Sequence, residues 1–413
     1  MEQSKKIHHG WFVFISLSLM FFAAVGMLGN TNGLYLTPVA KEMGWSRTDA
    51  SWYLTIYMLV MAFSQPIASR LIYKVNPKIL LGVAMTFVCV ATGAASQFYT
   101  KAAWNYSAIF IGLGQAVIMY LAVPIILGNW FNKKYATLLG IALALGTVGS
   151  AVANPIAGQL ITAYGWRSAR LIMSAAAWII SMPGILFCIK FRPSDMGLKP
   201  YGYEEGQETK AAAAPLTGVS AMNALKSPAM YMVVLLAGVV VFYCSMNTQI
   251  PGYATSVGLA TTVGAFAMTV LNFANMGGKV FLGWLTDRIG FQAATLTALI
   301  SGIVGAVIIL IGGANVTIFY VGLIFFGLCF ASLTVMLPLV VKGIFGPREF
   351  GKIYANVTMV QSVIAAFAAL AYARIFDITK SFVFAWQLNI GTLVLGIILL
   401  VAAVKIGKSL KHE

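Results

Sequence analysis

Twelve apolar runs of about 20 residues each, separated by shorter polar segments, constrain the fold of this chain more than any other feature. A run of about 20 apolar residues can cross a bilayer as an α-helix, and a helix satisfies its own backbone N–H and C=O groups inside lipid. We therefore predict an all-α membrane protein with twelve transmembrane helices. Their approximate limits are 11–37, 50–71, 78–97, 104–127, 135–161, 168–190, 229–251, 261–284, 291–312, 316–341, 350–373 and 382–404.

The composition agrees with a membrane protein and excludes a soluble one. Hydrophobic residues make up 60% of the chain, charged residues 9%, and the mean hydropathy is +0.87. A soluble globular protein contains about 25% charged residues. The formal net charge of +16 does not indicate nucleic-acid binding, because the lysines and arginines are scattered among apolar runs and form no basic face.

Motifs for catalysis, metals and cofactors are missing from the sequence. There is no Walker-type glycine loop, no His/Glu cluster and no nucleophile elbow. The four cysteines lie inside apolar runs without metal-like spacing, which favours plain packing. The three histidines lie in the tails, and we interpret His8 and His9 as a solvated pair. We expect no enzyme, no cofactor, no metal and no obligatory protein partner.

The first apolar run is longer than the core of a signal peptide and has no A-x-A cleavage site, so we expect it to remain as the first helix. One long polar segment, 191–227, separates the sixth run from the seventh. It contains three glutamates at 204–208 and an alanine run at 211–214. We interpret it as a cytoplasmic linker between an N-terminal six-helix half, 1–190, and a C-terminal six-helix half, 228–413.

The two halves repeat at an offset of 214 residues. Three agreements at one offset indicate a duplication, so the two halves are expected to be pseudo-symmetric parallel repeats. The three matches are Pro124 with Pro338, Phe131 with Phe345, and residues 69–76 with 283–290.

The lysines and arginines other than Lys279 predict the orientation in the membrane. With both termini in the cytoplasm, 19 lysines and arginines lie on the cytoplasmic side and 7 on the other side. Cytoplasmic loops carry an excess of lysine and arginine, so we expect both termini to be cytoplasmic.

We expect Lys279 to be the one charged side chain inside an apolar span. A charge at the bilayer centre costs about 3 kcal/mol or more, so an intramembrane lysine indicates a functional site. The plainer alternative is snorkelling, because Lys279 lies only about 8 Å from the end of the eighth span. Asn275 and Asn272 lie on nearly the same helical face and favour a binding site.

The pattern G-x-L-x-D-R-x-G follows at 283–290. Together with the twelve spans and the linker, it resembles the loop between the second and third helices of each half in the major facilitator superfamily. The resemblance covers the whole chain and implies two six-helix halves around a substrate site near mid-membrane that opens alternately to either side. The gating residues that it implies are Asp287, Arg288, Gly283, Gly290 and Arg70.

The copy of this loop in the first half departs from the pattern. Tyr73 stands at the position of the aspartate and Asn76 at that of the second glycine. Because tyrosine supplies no carboxylate, we expect the gate to depend more on the loop of the second half.

Several short stretches are similar to the bacterial branch of the superfamily related to monocarboxylate porters and oxalate/formate antiporters. They are 44–47, 112–114, Tyr120 with Pro124, 130–131 and 192–200. The resemblance implies a secondary active transporter of a small organic anion, a monocarboxylate, in the bacterial plasma (inner) membrane. In these porters an arginine stands where this chain has Lys279 and an aspartate where it has Asn275. Lysine keeps the positive charge but lacks the bidentate fork of arginine.

Other polar residues inside the spans are candidates for the substrate site. Tyr120 can donate to a carboxylate, although a tyrosine bonded to a neighbouring helix is nearly as common. The amides can equally hold helices together. The predicted substrate-binding residues are Lys279, Asn275, Tyr120, Asn272, Asn30, Asn247, Asn356 and Gln361.

Two alternative functions stay open at this point. One is a carrier or exporter of a larger neutral or cationic solute, and the other is a non-transporting membrane sensor, which the short tail after Val404 disfavours. All eleven acidic residues lie in a tail, a loop or a helix end. No carboxylate or histidine lies in the predicted pathway to carry a proton, which leaves anion exchange, facilitated diffusion, or symport in which Lys279 loses its proton when the site is empty and dry. We expect substrate on the opposite side to accelerate transport more than a pH gradient does, because a cavity that fills with water in each cycle hardly keeps the lysine desolvated.

Overall fold

The computed structural model describes residues 7–203, 218–379 and 381–410. Nearly all of them are helical, and the one extended pairing within these ranges is an isolated bridge between Phe131 and Tyr201. Contacts between Cα atoms divide the chain into two compact units, Met1–Gly206 and Gln207–Glu413. This division falls inside the predicted linker, whose glutamates at 204–208 and alanine run at 211–214 lie outside the described residues. The predicted limits of the halves and the linker stay a prediction.

The described part of the first unit contains seven α-helices with short π- and 3-10-helical segments between them. The α-helices are α1 Gly10–Phe21, α2 Asn32–Met43, α3 Arg47–Lys74, α4 Pro77–Ala94, α5 Lys101–Val117, α6 Val123–Trp130 and α7 Tyr135–Pro183. The π-helical segments are Phe22–Gly29, Ile118–Ala122 and Gly184–Cys188, and the 3-10 segments are Ala95–Gln97 and Pro193–Met196.

The second unit contains eight α-helices in its described part. They are α8 Ala221–Lys226, α9 Pro228–Ser245, α10 Ile250–Ser256, α11 Thr261–Ile289, α12 Phe291–Gly312, α13 Val316–Phe345, α14 Phe350–Thr379 and α15 Val383–Gly407, with a 3-10 segment at Met246–Gln249. Helix α13 packs against both α11 and α12, while α9 packs against α14 and α15.

Polar caps explain where several helices begin. Helix α3 begins with a capping box. The Ser46 hydroxyl accepts a hydrogen bond of 3.0 Å from the N–H of Asp49, and the Asp49 carboxylate accepts one of 3.2 Å from the N–H of Ser46. At the start of α4 the Asn76 side chain caps the N–H of Lys78. Pro77 occupies the first turn, where proline costs no hydrogen bond.

Proline also explains a departure from regular α-helix in the fourth predicted span. The π-helical segment Ile118–Ala122 leads directly into Pro124 of α6. Proline has no N–H and its ring clashes with the carbonyl four residues earlier, here that of Tyr120. A π-bulge accommodates both effects, and such bulges are common at functional sites. Neither this segment nor the longer one at Phe22–Gly29 was predicted from the sequence.

Helix α7 runs through both the fifth and the sixth predicted spans. Gly165, with φ 79° and ψ 162°, changes the direction of the chain between the two parts. Glycine adopts this conformation readily because it has no Cβ.

The other predicted spans also coincide with helices. Nine helical stretches of the described residues are long and apolar enough to cross a membrane, and one of them, Tyr135–Cys188, covers two predicted spans. The eighth and eleventh predicted spans correspond to α11 and α14, whose polar side chains make them less apolar.

Candidate functional site

Two glycines bring α11 and α13 into close contact. A Cβ built on Gly278 of α11 would lie 2.9 Å from the Cβ of Ala331 and 3.2 Å from the Cα of Leu328. A Cβ on Gly327 of α13 would overlap the Cβ of Ala274. Small residues at membrane helix interfaces permit this approach. The contact fixes the rotation of α11 and hence the directions of its polar side chains.

Lys279 and Asn275 are buried on this helix. Their side chains are 8% and 5% exposed, and Leu271 and Leu282 continue the same buried stripe. The exposed side of α11 carries large apolar groups instead, among them Phe273 and Trp284. A snorkelling lysine would share that exposed side. The arrangement therefore favours the binding-site interpretation of Lys279, and both polar side chains make interactions in the structure.

The other predicted substrate-binding residues of the second unit have different environments. Asn272 is exposed, so the face that it was predicted to share with Asn275 and Lys279 is only partly buried. Gln361 of α14 is buried and its Nε2 donates to the Leu333 carbonyl at 3.4 Å. Asn356 and Asn247 are half-buried.

A small cavity of about 20 Å³ lies beside Gln361. Thr295, Ser332 and Leu333 also line it. The Oε1 atom of Gln361 is buried and accepts no hydrogen bond from the residues that the structure describes. A cavity of this size holds one water molecule, which would supply the missing donor.

In the first unit, Tyr120 and Asn30 both border π-helical segments. Tyr120 is buried within Ile118–Ala122. Asn30 follows Phe22–Gly29, is exposed, and its Nδ2 donates to the Ser150 hydroxyl of α7 at 2.7 Å.

Gln115 is a residue that the sequence analysis missed. Its buried Nε2 donates to the Ala24 carbonyl at 2.8 Å and so ties α5 to the π-helical segment of the first span. Its Oε1 accepts no hydrogen bond from the described part of the chain. A single amide inside an apolar, glycine-rich run was the available signal.

The predicted gate of the second unit is a tight turn. Gly290 has φ 84°, ends α11 and directly precedes α12. Asp287 and Arg288 are exposed, with the guanidinium carbon of Arg288 lying 5.0 Å from the centroid of the Trp284 ring, while Gly283 is buried.

The matching turn of the first unit is built differently. Asn76 has φ −55° and uses its side chain to cap α4, so it needs no glycine there. Tyr73 packs edge-on against Phe191, with 5.5 Å between ring centroids, and Arg70 is exposed.

The expectation that Lys279 would be the one charged residue inside a span was wrong. Arg170 of α7 is 1% exposed and lies inside the sixth predicted span. The predicted limits also contain Arg70, Lys190 and Lys352, which lie at the ends of their spans. Lys279 was selected because a charged residue inside a membrane span indicates a functional site. Arg170 meets the same criterion, since it also lies within a span assigned from hydropathy.

The interpretation of His8 and His9 as a solvated pair was also wrong. The Nε2 atoms of His8 and His9 lie 3.0 Å from the Lys199 carbonyl and 2.9 Å from the Cys188 carbonyl. His8 also accepts a hydrogen bond of 3.2 Å from the N–H of Gly10 through Nδ1. The acceptors of His8 and His9 lie 191 and 179 residues further along the chain. These long-range hydrogen bonds fix both side chains against the first unit, whereas a solvated pair would make none.

Ion pairs of the described residues lie at helix ends. Lys101 pairs with Asp49 at 2.7 Å, Arg167 pairs with Glu42 at 2.8 Å, and Lys352 pairs with Glu349. No group of three or more histidines, cysteines or carboxylates in the described ranges has metal-binding geometry.

Comparison with known proteins gives the family and the fold. The model of the Major Facilitator Superfamily matches residues 17–406. Monocarboxylate transporter 13 of Bos taurus is 22% identical over 358 residues, 86% of this chain and 79% of that protein. Monocarboxylate transporter 4 of Gallus gallus is 22% identical over 386 residues, 91% of this chain and 77% of that protein.

A shorter match involves a bacterial protein. A probable L-galactonate transporter of Escherichia coli (strain K12) is 26% identical over 155 residues, which are 37% of this chain and 34% of that protein. The matched stretch therefore spans about a third of that relative.

Among solved structures, the transporter FucP in the outward conformation superposes with a TM-score of 0.73 at 12% identity, over 96% of this chain and 99% of that chain. The human organic anion transporter MFSD10 gives 0.65 at 13% identity, over 95% and 98% of the two chains. At these identities the likeness concerns the fold.

Proposed function

The chain belongs to the major facilitator superfamily, and we propose that it is a secondary transporter of a small organic anion, a monocarboxylate. It is a multi-pass integral membrane protein with the twelve-helix fold of that family. The two relatives matched over most of this chain are named monocarboxylate transporters. Their low identity leaves the substrate to be argued from the residues of this chain.

The observation that carries the proposal is the burial of Lys279 beside Asn275 on the side of α11 away from its exposed aromatic residues. An ammonium group in a low-dielectric environment attracts an anion strongly. A carboxylate is a suitable partner, because it accepts charge-assisted hydrogen bonds from the ammonium group. Lys279 is thus the proposed counter-ion of the transported carboxylate.

The remaining predicted residues receive supporting roles in this proposal. Tyr120 donates to the substrate, and the amides shape the site and select the substrate. These amide residues are Asn275, Asn272, Asn30, Asn247, Asn356 and Gln361. The proposed gate consists of Asp287, Arg288, Gly283, Gly290 and Arg70.

We further propose that transport proceeds by alternating access and exchanges anions, in a bacterial plasma membrane with both termini in the cytoplasm. The carboxylates of the three ion pairs lie at helix ends, which agrees with the lack of a carboxylate that could carry a proton along the pathway. The excess of basic residues on the cytoplasmic side supports the orientation.

Uptake of labelled lactate and formate into proteoliposomes tests the substrate class. We expect saturable uptake that unlabelled monocarboxylates inhibit and that empty liposomes lack. Uptake of a neutral or cationic solute with no response to either anion would contradict the proposal.

A sugar acid is the second candidate substrate. The partial match to a probable L-galactonate transporter favours it, since a sugar acid combines one carboxylate with several hydroxyl groups. Lys279 would bind the carboxylate, and amides such as Asn275 and Gln361 would bind hydroxyl groups. Competition between galactonate and lactate for uptake in the same proteoliposomes distinguishes the two.

A further inference from the structure

A second buried cation lies in the first unit and has no part in the proposed transport site. Arg170 stands one turn after Arg167 in α7, and Arg167 pairs with Glu42 of α2. Its Nε donates to the Thr92 carbonyl of α4 at 2.9 Å, and its Nη2 donates to the Tyr53 hydroxyl of α3 at 2.6 Å. Its side chain is therefore held between two other helices.

Three aromatic rings surround the guanidinium. Its Cζ lies 4.7 Å from the centroid of Trp104, 5.2 Å from that of Tyr53 and 5.4 Å from that of Tyr35. Such contacts stabilise a desolvated cation. The desolvation penalty of a buried charge is larger than cation–π contacts recover, so the rings offset only part of the cost for Arg170.

No carboxylate compensates Arg170 among the residues that the structure describes. Glu42 and Asp49, the acidic residues on α2 and α3, are held by Arg167 at 2.8 Å and by Lys101 at 2.7 Å. The two arginines on successive turns of α7 thus differ, because Arg167 has a carboxylate and Arg170 has none.

The surroundings of Arg170 also hold more donors than acceptors. Within the described ranges, the Tyr53 hydroxyl accepts a hydrogen bond from Nη2 of Arg170, which leaves its own proton for an acceptor. The Tyr35 hydroxyl is buried and has no partner in the same part of the chain. A negatively charged acceptor is the group that would satisfy these donors and neutralise the guanidinium at once.

We propose that Arg170, Tyr35 and Tyr53 form a binding site for one small monovalent anion, such as chloride or formate. Each of these residues is less than 4% exposed, so we expect the enclosed site to admit a small anion in preference to a large one such as gluconate. The site lies wholly in the first unit, and it stands independently of the proposed substrate site at Lys279.

Thermal unfolding of the purified full-length protein in detergent tests this site. The measurements use the Lys279→Gln variant, which removes the proposed transport site, in sodium gluconate at constant ionic strength with increasing replacement by chloride or formate. We expect the midpoint temperature to rise saturably with the small anion, because a ligand that binds only the folded state stabilises it. A response to chloride alone identifies a halide site, a response to formate alone identifies a carboxylate site, and either supports the proposal.

Substitutions in the same background separate this site from general salt effects. Arg170→Gln should abolish the anion-dependent rise. Lys101→Gln, which removes a nearby cation that already has a carboxylate partner, should keep it. Tyr35→Phe keeps the ring and removes one donor, so it should raise the half-maximal anion concentration about tenfold.

Equal midpoints in gluconate, chloride and formate before Arg170 is changed would overturn the proposal, as would a rise that persists unchanged in Arg170→Gln. If Arg170→Gln does not fold, Tyr35→Phe provides the test. An anion concentration for the half-maximal rise equal to that of the Lys279→Gln parent would then overturn the proposed site. Because Lys279 is replaced in every variant of this experiment, a negative result would concern the anion site alone and would not contradict the proposed transport function.

Discussion

The Glu349 carboxylate accepts a hydrogen bond of 2.6 Å from the backbone N–H of Ala221, which is 128 residues away along the chain. The bond joins the start of α14 to the start of α8, and Lys352 pairs with the same carboxylate. The N–H of Ala221, followed by the ammonium of Lys352, lowers the pKa of Glu349 below its ordinary value.

This lowered pKa predicts a pH dependence of stability. A carboxyl group whose pKa is lower in the folded state stabilises that state above its unfolded pKa, about 4.3, and loses the contribution as the pH falls through the folded value. Glu349→Gln should cost about 1 kcal/mol at pH 7 and nothing at the lowest pH that the protein tolerates. Thermal unfolding at pH values from 7 downward measures the stability lost in Glu349→Gln, with the exposed Asp377→Asn as control. A loss of stability that is equal at all pH values would contradict the prediction.

Lys279 variants test the counter-ion. Lys279→Gln removes a charge-assisted hydrogen bond worth about 2 to 3 kcal/mol, so monocarboxylate affinity should fall roughly 30- to 150-fold. Lys279→Arg should retain part of the binding. The exposed Lys405→Gln serves as the control. Unchanged affinity in Lys279→Gln would show that the lysine only snorkels.

The two gating loops should respond unequally to substitution. Asp287→Asn removes a carboxylate, whereas Tyr73→Phe removes only a hydroxyl, so Asp287→Asn should shift the resting conformation more. Accessibility of single cysteines to reagents added from either side of the membrane reports the shift. Equal changes in the two variants would refute a dominant second-half gate.

Adjacent glycines of α11 offer a matched pair for the contact with α13. Gly278→Ala should destabilise the protein by about 1 to 3 kcal/mol, because its Cβ meets Ala331 and the backbone of Leu328. Gly277→Ala places its Cβ in open space and should be neutral or stabilising by up to about 1 kcal/mol. Thermal unfolding compares them, and equal effects would argue against the close contact.

Coupling can be measured in one set of proteoliposomes. Since we propose anion exchange, substrate on the opposite side should accelerate uptake more than an imposed pH gradient does. Counterflow and gradient-driven uptake are compared, with diffusion of the free acid through lipid subtracted. Strong accumulation driven by the gradient alone would establish proton symport and assign the proton to a group such as Lys279.

Hydropathy predicted the fold because lipid allows few ways to satisfy a backbone, and each predicted span coincides with a helix. Hydropathy also identified Lys279, because a charge is conspicuous in an apolar run. Gln115 was not predicted, because a single amide is as compatible with lipid-facing packing as with its hydrogen bond to Ala24. The environment of Arg170 depends on Tyr35, Tyr53 and Trp104, and no local pattern relates residues so far apart in sequence.

The contacts of His8 and His9 impose an order on the synthesis and folding of the protein. Their acceptors, the carbonyls of Cys188 and Lys199, lie 179 and 191 residues further along the chain and are synthesised that much later. The first helix must therefore enter the membrane with its leading end undocked while five further spans are synthesised. His8 and His9 can meet their partners only when the chain has been synthesised past Lys199, so the residues that precede α1 dock late in the folding of the first unit.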